Sequence, residues 1–278
     1  MAEITASLVK QLREATNVSM MECKKALVEA NGDMEAATKI LRERGIAVAA
    51  KKASRAAKQG LVASASKEDG RIASLVEINC ETDFVARNEN FVKFVNDLAE
   101  KACETDEALS EQMKDIVTAK IAEIGENIIV RRNIRYKLEG NGAIASYIHL
   151  GGKVGVLVEA GCGSEATVSN PVFGELVRDL TLQIAAANPK YLVPDEIPEE
   201  EVKAEREIYA SQVKNKPANV IDKIVDGRMK KYHSEVCLID QPFVKEPKQS
   251  IRDLLASKGK ELNDTIEVKR FVRYQMGA

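Results

Sequence analysis

Glu77-Ile78-Asn79-Cys80-Glu81-Thr82-Asp83-Phe84-Val85 lies inside a segment, residues 60–98, that returns without a gap 82 positions later as residues 142–180. Ala63-Ser64 recurs as Ala145-Ser146, Leu75-Val76-Glu77 as Leu157-Val158-Glu159, Cys80 as Cys162 and Phe91 as Phe173. Residues kept in both copies read as scaffold of a two-lobed core. Where the copies differ most sharply, Asp83 stands over Glu165 and Phe84 over Ala166. One lobe alone therefore carries an aromatic, in a stretch that reads as an irregular loop. An aromatic so placed has the character of an exposed anchor for a partner. The plainer alternative puts Phe84 in the core of its lobe and lets Asp83 cap the helix that follows.

Working outward, each copy shows two strands and a helix. Strands at 61–66 and 71–79 flank a Glu68-Asp69-Gly70 turn, and strands at 144–150 and 153–160 flank Gly151-Gly152. The helix of the first copy carries Phe91, Val95, Leu98 and Ala102 after a cap at Asn88 or Asn90. That of the second carries Phe173, Leu176, Val177 and Leu180 after Asn170-Pro171, a cap with proline in the first turn. Between the copies, 111–124 reads as a helix and 128–138 as a strand. The expected fold class is α+β, with two antiparallel sheets each backed by helices.

Upstream, residues 5–45 read as three short helices. Ser19 caps the second, which ends at Asn31-Gly32; Asp33 caps the third, and Gly45 is placed to close it in the left-handed conformation. Residues 1–46 thus resemble a ubiquitin-associated-like three-helix bundle. Residues 47–59 form a basic linker with Lys51, Lys52, Arg55 and Lys58, read either as a phosphate-binding strip or as a solvated connection.

Downstream, residues 190–235 read as a projecting hairpin of helices at 198–213 and 217–233, joined by Lys214-Asn215-Lys216-Pro217. It interrupts the second lobe, which comprises 141–189 and 236–278; the first lobe is 60–140. Such a hairpin offers a surface for a homodimer, for its own core or for a partner. In the tail, 236–238 reads as a strand, Ser250-x-x-Asp253 as a capping box and 266–274 as a strand.

Composition narrows the function. Lys plus Arg number 41 against 43 Asp plus Glu, so the net charge of −2 supplies no basic field to hold nucleic acid or an anionic membrane, and the partner expected is a protein. With 4% aromatics and no Trp, base-stacking platforms are scarce. The five cysteines are scattered and contain no Cys-x-x-Cys, which suits a reducing cytosol and neither a disulfide framework nor a zinc site; Cys80 and Cys162 read as buried small groups. The start Met1-Ala2-Glu3-Ile4-Thr5 lacks a secretion signal, and no stretch approaches the roughly 20 apolar residues of a membrane span.

Chemistry-bearing constellations are few. His149 and His233 are the only histidines, and they form no His-Glu-x-x-His or Ser-His-Asp pattern. Glu77 and Asp83 as paired carboxylates would make a hydrolase, but no base or metal cluster accompanies them. Gly151-Gly152 lacks the following Gly-Lys of a phosphate-cradling loop. No enzyme, cofactor or metal is expected.

In order, the Met20-Met21-Glu22-Cys23-Lys24-Lys25-Ala26-Leu27 helix with Asn31-Gly32-Asp33, then Thr82-Asp83-Phe84-Val85-Ala86-Arg87, Ile124-Gly125-Glu126-Asn127-Ile128, Gly227-Arg228-Met229-Lys230-Lys231 and Gln241-Pro242-Phe243-Val244 resemble the bacterial elongation factor Ts family over nearly the whole chain. The resemblance implies a guanine-nucleotide exchange factor that releases GDP from elongation factor Tu. It implies that Thr82, Asp83, Phe84 and Val85 press on the partner's nucleotide-binding domain and dislodge its magnesium ion. By the same likeness Arg13, Met20 and Met21 dock on that domain, while His149 with Gly151-Gly152 reaches another domain; separately, the helical spacing of Met20 and Met21 after Ser19 puts one methionine inward and one outward. Some members continue past the match to Phe271-Val272-Arg273-Tyr274 with a helix that embraces the partner; this sequence ends at Ala278, so that contact is not expected. An RNA- or ribosome-associated module using the basic linker is the alternative reading; stable nucleic-acid binding and membrane association are not expected.

Overall fold

The computed structural model describes residues 4–16, 18–213 and 217–278. Met1-Ala2-Glu3 and the Lys214-Asn215-Lys216 connection of the expected hairpin lie outside the described residues. The fold is α+β, helices mixed with antiparallel sheet. Helices α1 (Ala6–Thr16), α2 (Met20–Glu29) and α3 (Met34–Lys52) lead into β1 (Gln59–Lys67) and β2 (Ile72–Cys80). Then come α4 (Asp83–Ala86), α5 (Glu89–Ala102), α6 (Leu109–Gln112), α7 (Lys114–Ile124) and β3 (Ile129–Lys137). The second copy supplies β4 (Gly142–His149), β5 (Val154–Cys162), α8 (Glu165–Val168) and α9 (Pro171–Ala187). Helices α10 (Glu199–Ser211) and α11 (Ala218–Val236), strands β6 (Pro242–Phe243) and β7 (Glu246–Ser250), helix α12 (Ile251–Leu262) and strand β8 (Ile266–Gln275) complete the chain. The sheets run β1-β2-β3 and β4-β5-β8, with β6-β7 as a ribbon.

Two compact units emerge, one of Met1–Ala63, Val76–Ile134 and Met276–Ala278, the other of Ser64–Leu75 and Arg135–Gln275. In the first, Val9 and Leu12 of α1, Cys23, Ala26 and Leu27 of α2, and Ala37 and Leu41 of α3 form one core. The ends of α2 and α3 follow local chemistry: Ser19 accepts from the Glu22 amide and Asp33 from the Ala36 amide. The expected end of α3 does not. Gly45 is helical and buried, and the helix runs on to Lys52, into the first part of the expected linker. A side chain at Gly45 would meet α7, since a Cβ there stands 3.4 Å from that of Ala122. Arg42 pairs with Asp115, and Lys52 donates to the Gly125 carbonyl, so α3 is tied to α7 at both ends of the contact. Tertiary packing has overridden a local stop signal. The expected helix at 111–124 is likewise split into α6 and α7 at Met113.

In the second unit β5 is antiparallel to both β4 and β8, with a bulge between Glu159 and Ala160 on the β8 side. Val156, Val158 and Ala160 pack with Phe173, Leu176, Val177, Leu180 and Ile184 of α9 and with Ile251 and Leu254 of α12. Phe91, the counterpart of Phe173, is equally sealed. A carbonyl oxygen would lie 2.1 Å from a Cβ at Gly60 and 2.3 Å from one at Gly142, so both copies exclude any side chain at this close approach. The Ser64 and Ser146 hydroxyls, 82 positions apart, lie 3.0 Å from one another. Buried Gln183 donates to the Gln241 side chain and the Pro242 carbonyl and accepts from the Val244 amide; these bonds account for the Gln241-Pro242-Phe243-Val244 stretch.

Helices α10 and α11 share a small core around Val225, Met229 and Tyr232, and Glu201 accepts from the hydroxyls of Tyr191 and Tyr232. Arg206 pairs with Asp226 at 2.9 Å. The strand expected at 236–238 is not formed. Val236 closes α11, and only an isolated bridge joins Tyr191 to Cys237. The capping box at Ser250 and Asp253 is present. Cys162 is half-buried, unlike fully buried Cys80.

Because Gly45 sits within a helix beside a small neighbour, Gly45→Ala is expected to stabilise the protein by about 0.5–1 kcal/mol, whereas Gly45→Leu should lower the thermal midpoint by crowding Ala122. A lowered midpoint for the alanine variant in calorimetry would contradict the continuous α3.

Candidate functional site

The Thr82-Asp83-Phe84-Val85 stretch is a single helical turn rather than an irregular loop. Its start is fixed by a carboxylate from 44 residues downstream: Glu126 accepts from the backbone amides of Glu81 and Thr82, each at 3.0 Å, and from the Thr82 hydroxyl at 2.7 Å. The same hydroxyl accepts from the Val85 amide at 3.3 Å, making Thr82 the cap of α4. Glu81 returns the bond by accepting from the Asn127 amide at 2.7 Å, and the Cys80 thiol donates to the Thr82 carbonyl. Ala86 points inward and is buried, Val85 is half-buried, and Asp83 pairs with Arg87 at 3.1 Å. Phe84 is left 82% exposed. Its ring adds nothing to the core of its own lobe, and the cap of α5 is Asn88, so neither half of the plainer reading holds.

The second copy builds the same turn from different residues. Asp264 accepts from the amides of Gly163 and Ser164 and from the Ser164 hydroxyl, at 2.9, 3.0 and 3.0 Å. Ser164 caps α8 by accepting from the Thr167 amide, and the Cys162 thiol donates to the Ser164 carbonyl. At the position of Phe84, Ala166 also faces outward. Clamp, cap and turn are therefore common architecture, and the aromatic is the addition. Glu126 and Asp264 escaped the sequence reading because neither falls within the repeated segments. The cue available was Glu126 itself, within Ile124-Gly125-Glu126-Asn127-Ile128.

The other candidates are spread over both units. Arg13 is exposed on α1, and Met20 and Met21 are 40% and 64% exposed on α2. Neither methionine is core, which corrects the expectation of one inward and one outward. Lys24, Lys25 and Val28 line the shallow surface beside Met21. In the second unit His149 ends β4, its Nδ1 2.9 Å from the Tyr147 hydroxyl, and Gly151 and Gly152 have φ of 61° and 90°. The carboxylate pair of the hydrolase reading is not formed as such: buried Glu77 pairs with Arg132 at 2.7 Å and Asp83 with Arg87. Of the basic segment, Lys52 and Arg55 are engaged within their own unit, by Gly125 and Glu81. Among the described residues no group of three or more His, Cys, Asp or Glu is placed to hold a metal, and no helix is long and apolar enough to cross a membrane.

The family described as Elongation factor TS matches residues 81–278, from the clamped turn to the last residue. The chain belongs to the elongation factor Ts family. It is 47% identical over 287 residues to elongation factor Ts of Clostridium perfringens strain 13, which covers 99% of this chain and 93% of the relative. Elongation factor Ts of Clostridium novyi strain NT is 45% identical and that of a Nitratiruptor species is 43% identical, with the same coverage. As a member of the elongation factor Ts family, the chain is a guanine-nucleotide exchange factor for elongation factor Tu in translation elongation and not a catalyst of a chemical reaction.

The clamps make two measurable demands. Hydrogen bonds, first from Thr167 and then from the Thr265 amide, Ser164 and Gly163, outweigh burial and hold the Asp264 carboxyl at about 2, below its ordinary 3.8. The second clamp should therefore be intact above about pH 4 and lost as the pH falls toward 2. Amide shifts of Gly163 and Ser164 should follow that titration, and Asp264→Asn should abolish it; a midpoint near 4 would show that the bonds are not made. In the first lobe, Glu126→Ala strands two amides and a hydroxyl, so a loss of about 2 kcal/mol is expected, with faster hydrogen exchange at Thr82. Unchanged exchange there would sink the clamp.

Proposed function

We propose that the chain opens elongation factor Tu with α4. Phe84 enters the partner's nucleotide-binding domain while Asp83, Thr82 and Val85 hold the turn against it, and the shift spoils the geometry of the magnesium ion beside the GDP phosphates. The observation that carries this reading is an exposed phenyl ring on a clamped turn whose twin in the other lobe presents only Ala166. Magnesium requires near-octahedral coordination, so a small displacement of its ligands is enough to weaken the nucleotide.

Magnitudes require help from elsewhere. Burying a Phe ring contributes about 2–3 kcal/mol, whereas weakening a nanomolar nucleotide to micromolar takes about 4 kcal/mol of coupling. The remaining contacts are assigned to Arg13, Met20 and Met21 on the ubiquitin-associated-like helices α1 to α3, and to His149, Gly151 and Gly152 on the second lobe. Both GDP-bound and nucleotide-free partner states are bound, the second more tightly. Helices α10 and α11 form the inserted antiparallel hairpin, available for a homodimer, and the setting is the cytosol.

Since the ring is already in water, Phe84→Ala should leave stability within about 0.5 kcal/mol while slowing labelled GDP release from elongation factor Tu about tenfold or more in a stopped-flow assay. Release at the unaltered rate would refute the role of α4, and an equal loss of thermal stability would return Phe84 to the fold.

A further inference from the structure

Phe84 is not the only residue of its turn that the two copies fail to share. Set 82 positions apart, Asp83 answers to Glu165, Phe84 to Ala166 and Arg87 to Ser169. An acid therefore stands first in both helical turns, where the free amides of a helix start favour negative charge. Its surroundings differ. In the first lobe the Arg87 guanidinium lies 3.1 Å from the Asp83 carboxylate, with the arginine side chain 81% and the aspartate 48% exposed. In the second, exposed Ser169 offers Glu165 no charge. Only the acid beside the projecting ring is given a cation.

The fold does not require that cation. A pair so open to water contributes little to stability, and α4 is already fixed by Glu126 and by its Thr82 cap. The backbone of Arg87, not its side chain, closes the turn, its amide donating to the Asp83 and Phe84 carbonyls at 3.2 and 3.3 Å. Nor does the neighbouring acid need it, since Glu81 is taken up by the Asn127 amide and Arg55. What the pair accomplishes is that Asp83 and Arg87 cancel, so the ring is presented from a turn without net side-chain charge.

Cancellation matters at a nucleotide site. The phosphates of GDP are anionic and magnesium offsets part of their charge, so they become more strongly negative as the ion leaves. A bare carboxylate brought beside them is repelled most at that moment, because water has been displaced and the effective dielectric has fallen. We propose that Arg87 is a positioning residue for nucleotide release: acting through Asp83, it holds that carboxylate against α4 and cancels its charge, so that Phe84 advances while magnesium departs. The proposal deepens the exchange reading of α4 and rests on it. The ring supplies the wedge, and the guanidinium removes the repulsion that the wedge would otherwise meet.

The test follows release of labelled GDP from elongation factor Tu at saturating full-length factor, for the unaltered chain, Arg87→Gln, Arg87→Lys, Arg87→Glu, Asp83→Asn, the double variant Asp83→Asn with Arg87→Gln, and Phe84→Ala. Relative to the unaltered chain at the same salt, Arg87→Gln should lower the maximal rate about threefold to tenfold at about 0.05 M salt and by no more than about twofold at about 0.5 M. Arg87→Glu should lower it further, and Arg87→Lys should keep it within about twofold, since the charge is retained. Added to Asp83→Asn, Arg87→Gln should cost no more than about twofold, because no carboxylate remains to be cancelled. The thermal midpoint and hydrogen exchange at Thr82 should stay unchanged in Arg87→Gln. An unchanged release rate in that variant overturns the proposal. A loss that is equal at both salt concentrations, or that persists beside Asp83→Asn, gives Arg87 a contact of its own and overturns it too, and faster exchange at Thr82 does the same by making the side chain part of the turn's fold. If Phe84→Ala slows release while Arg87→Gln does not, the wedge stands without this pair; if neither slows it, both readings fall.

Discussion

A carboxylate accepting two consecutive backbone amides and the hydroxyl of a helix cap is the interaction on which both short turns, α4 and α8, depend. Glu126 does this for Glu81 and Thr82, and Asp264 for Gly163 and Ser164. A four-residue helix has no intrinsic stability, because nucleation costs more than one turn of hydrogen bonds returns. The clamp supplies the missing order from outside the turn, satisfying amides that would otherwise point at water or at nothing. What results is a short rigid post on which a side chain can be held away from its own protein. Without it, exposing a phenyl ring would invite collapse of the ring onto the nearest apolar surface.

Duplication separates the device from its use. Both lobes keep the clamp, the cap, the thiol bond and the inward-facing side of the turn, so each could carry a projecting group. Only the first does, at Phe84, and only the second carries an apolar residue on its hairpin tip. Buried charges follow the same division: Glu77 is matched by Arg132 and Glu159 by Arg270, at 2.7 Å in each case, so this ion pair too is common structure. What distinguishes the copies is thereby confined to the few positions where they part company.

Legibility in the sequence followed the range of the forces. Caps at Ser19, Asp33, Asn88, Asn170 and Ser250 could be read because each bonds within three residues of itself. The shared core could be read from Phe91 and Phe173 because duplication doubled the signal. Gly45 misled because its fate is decided by Ala122, far along the chain, and the turn at Thr82 looked irregular because its fastening comes from Glu126. Cys237 misled in the other direction: its amide continues the helical pattern to the His233 carbonyl, leaving a single bridge where a strand was expected.

The uninterrupted run of α3 has a mechanical corollary. Its 19 residues make a strut about 28 Å long. One end is rooted among the first three helices; the other, through Lys52, grips the Gly125 carbonyl next door to Glu126. A pull exerted on the amino-terminal bundle is thus delivered to the very peptide that steadies the projecting phenyl.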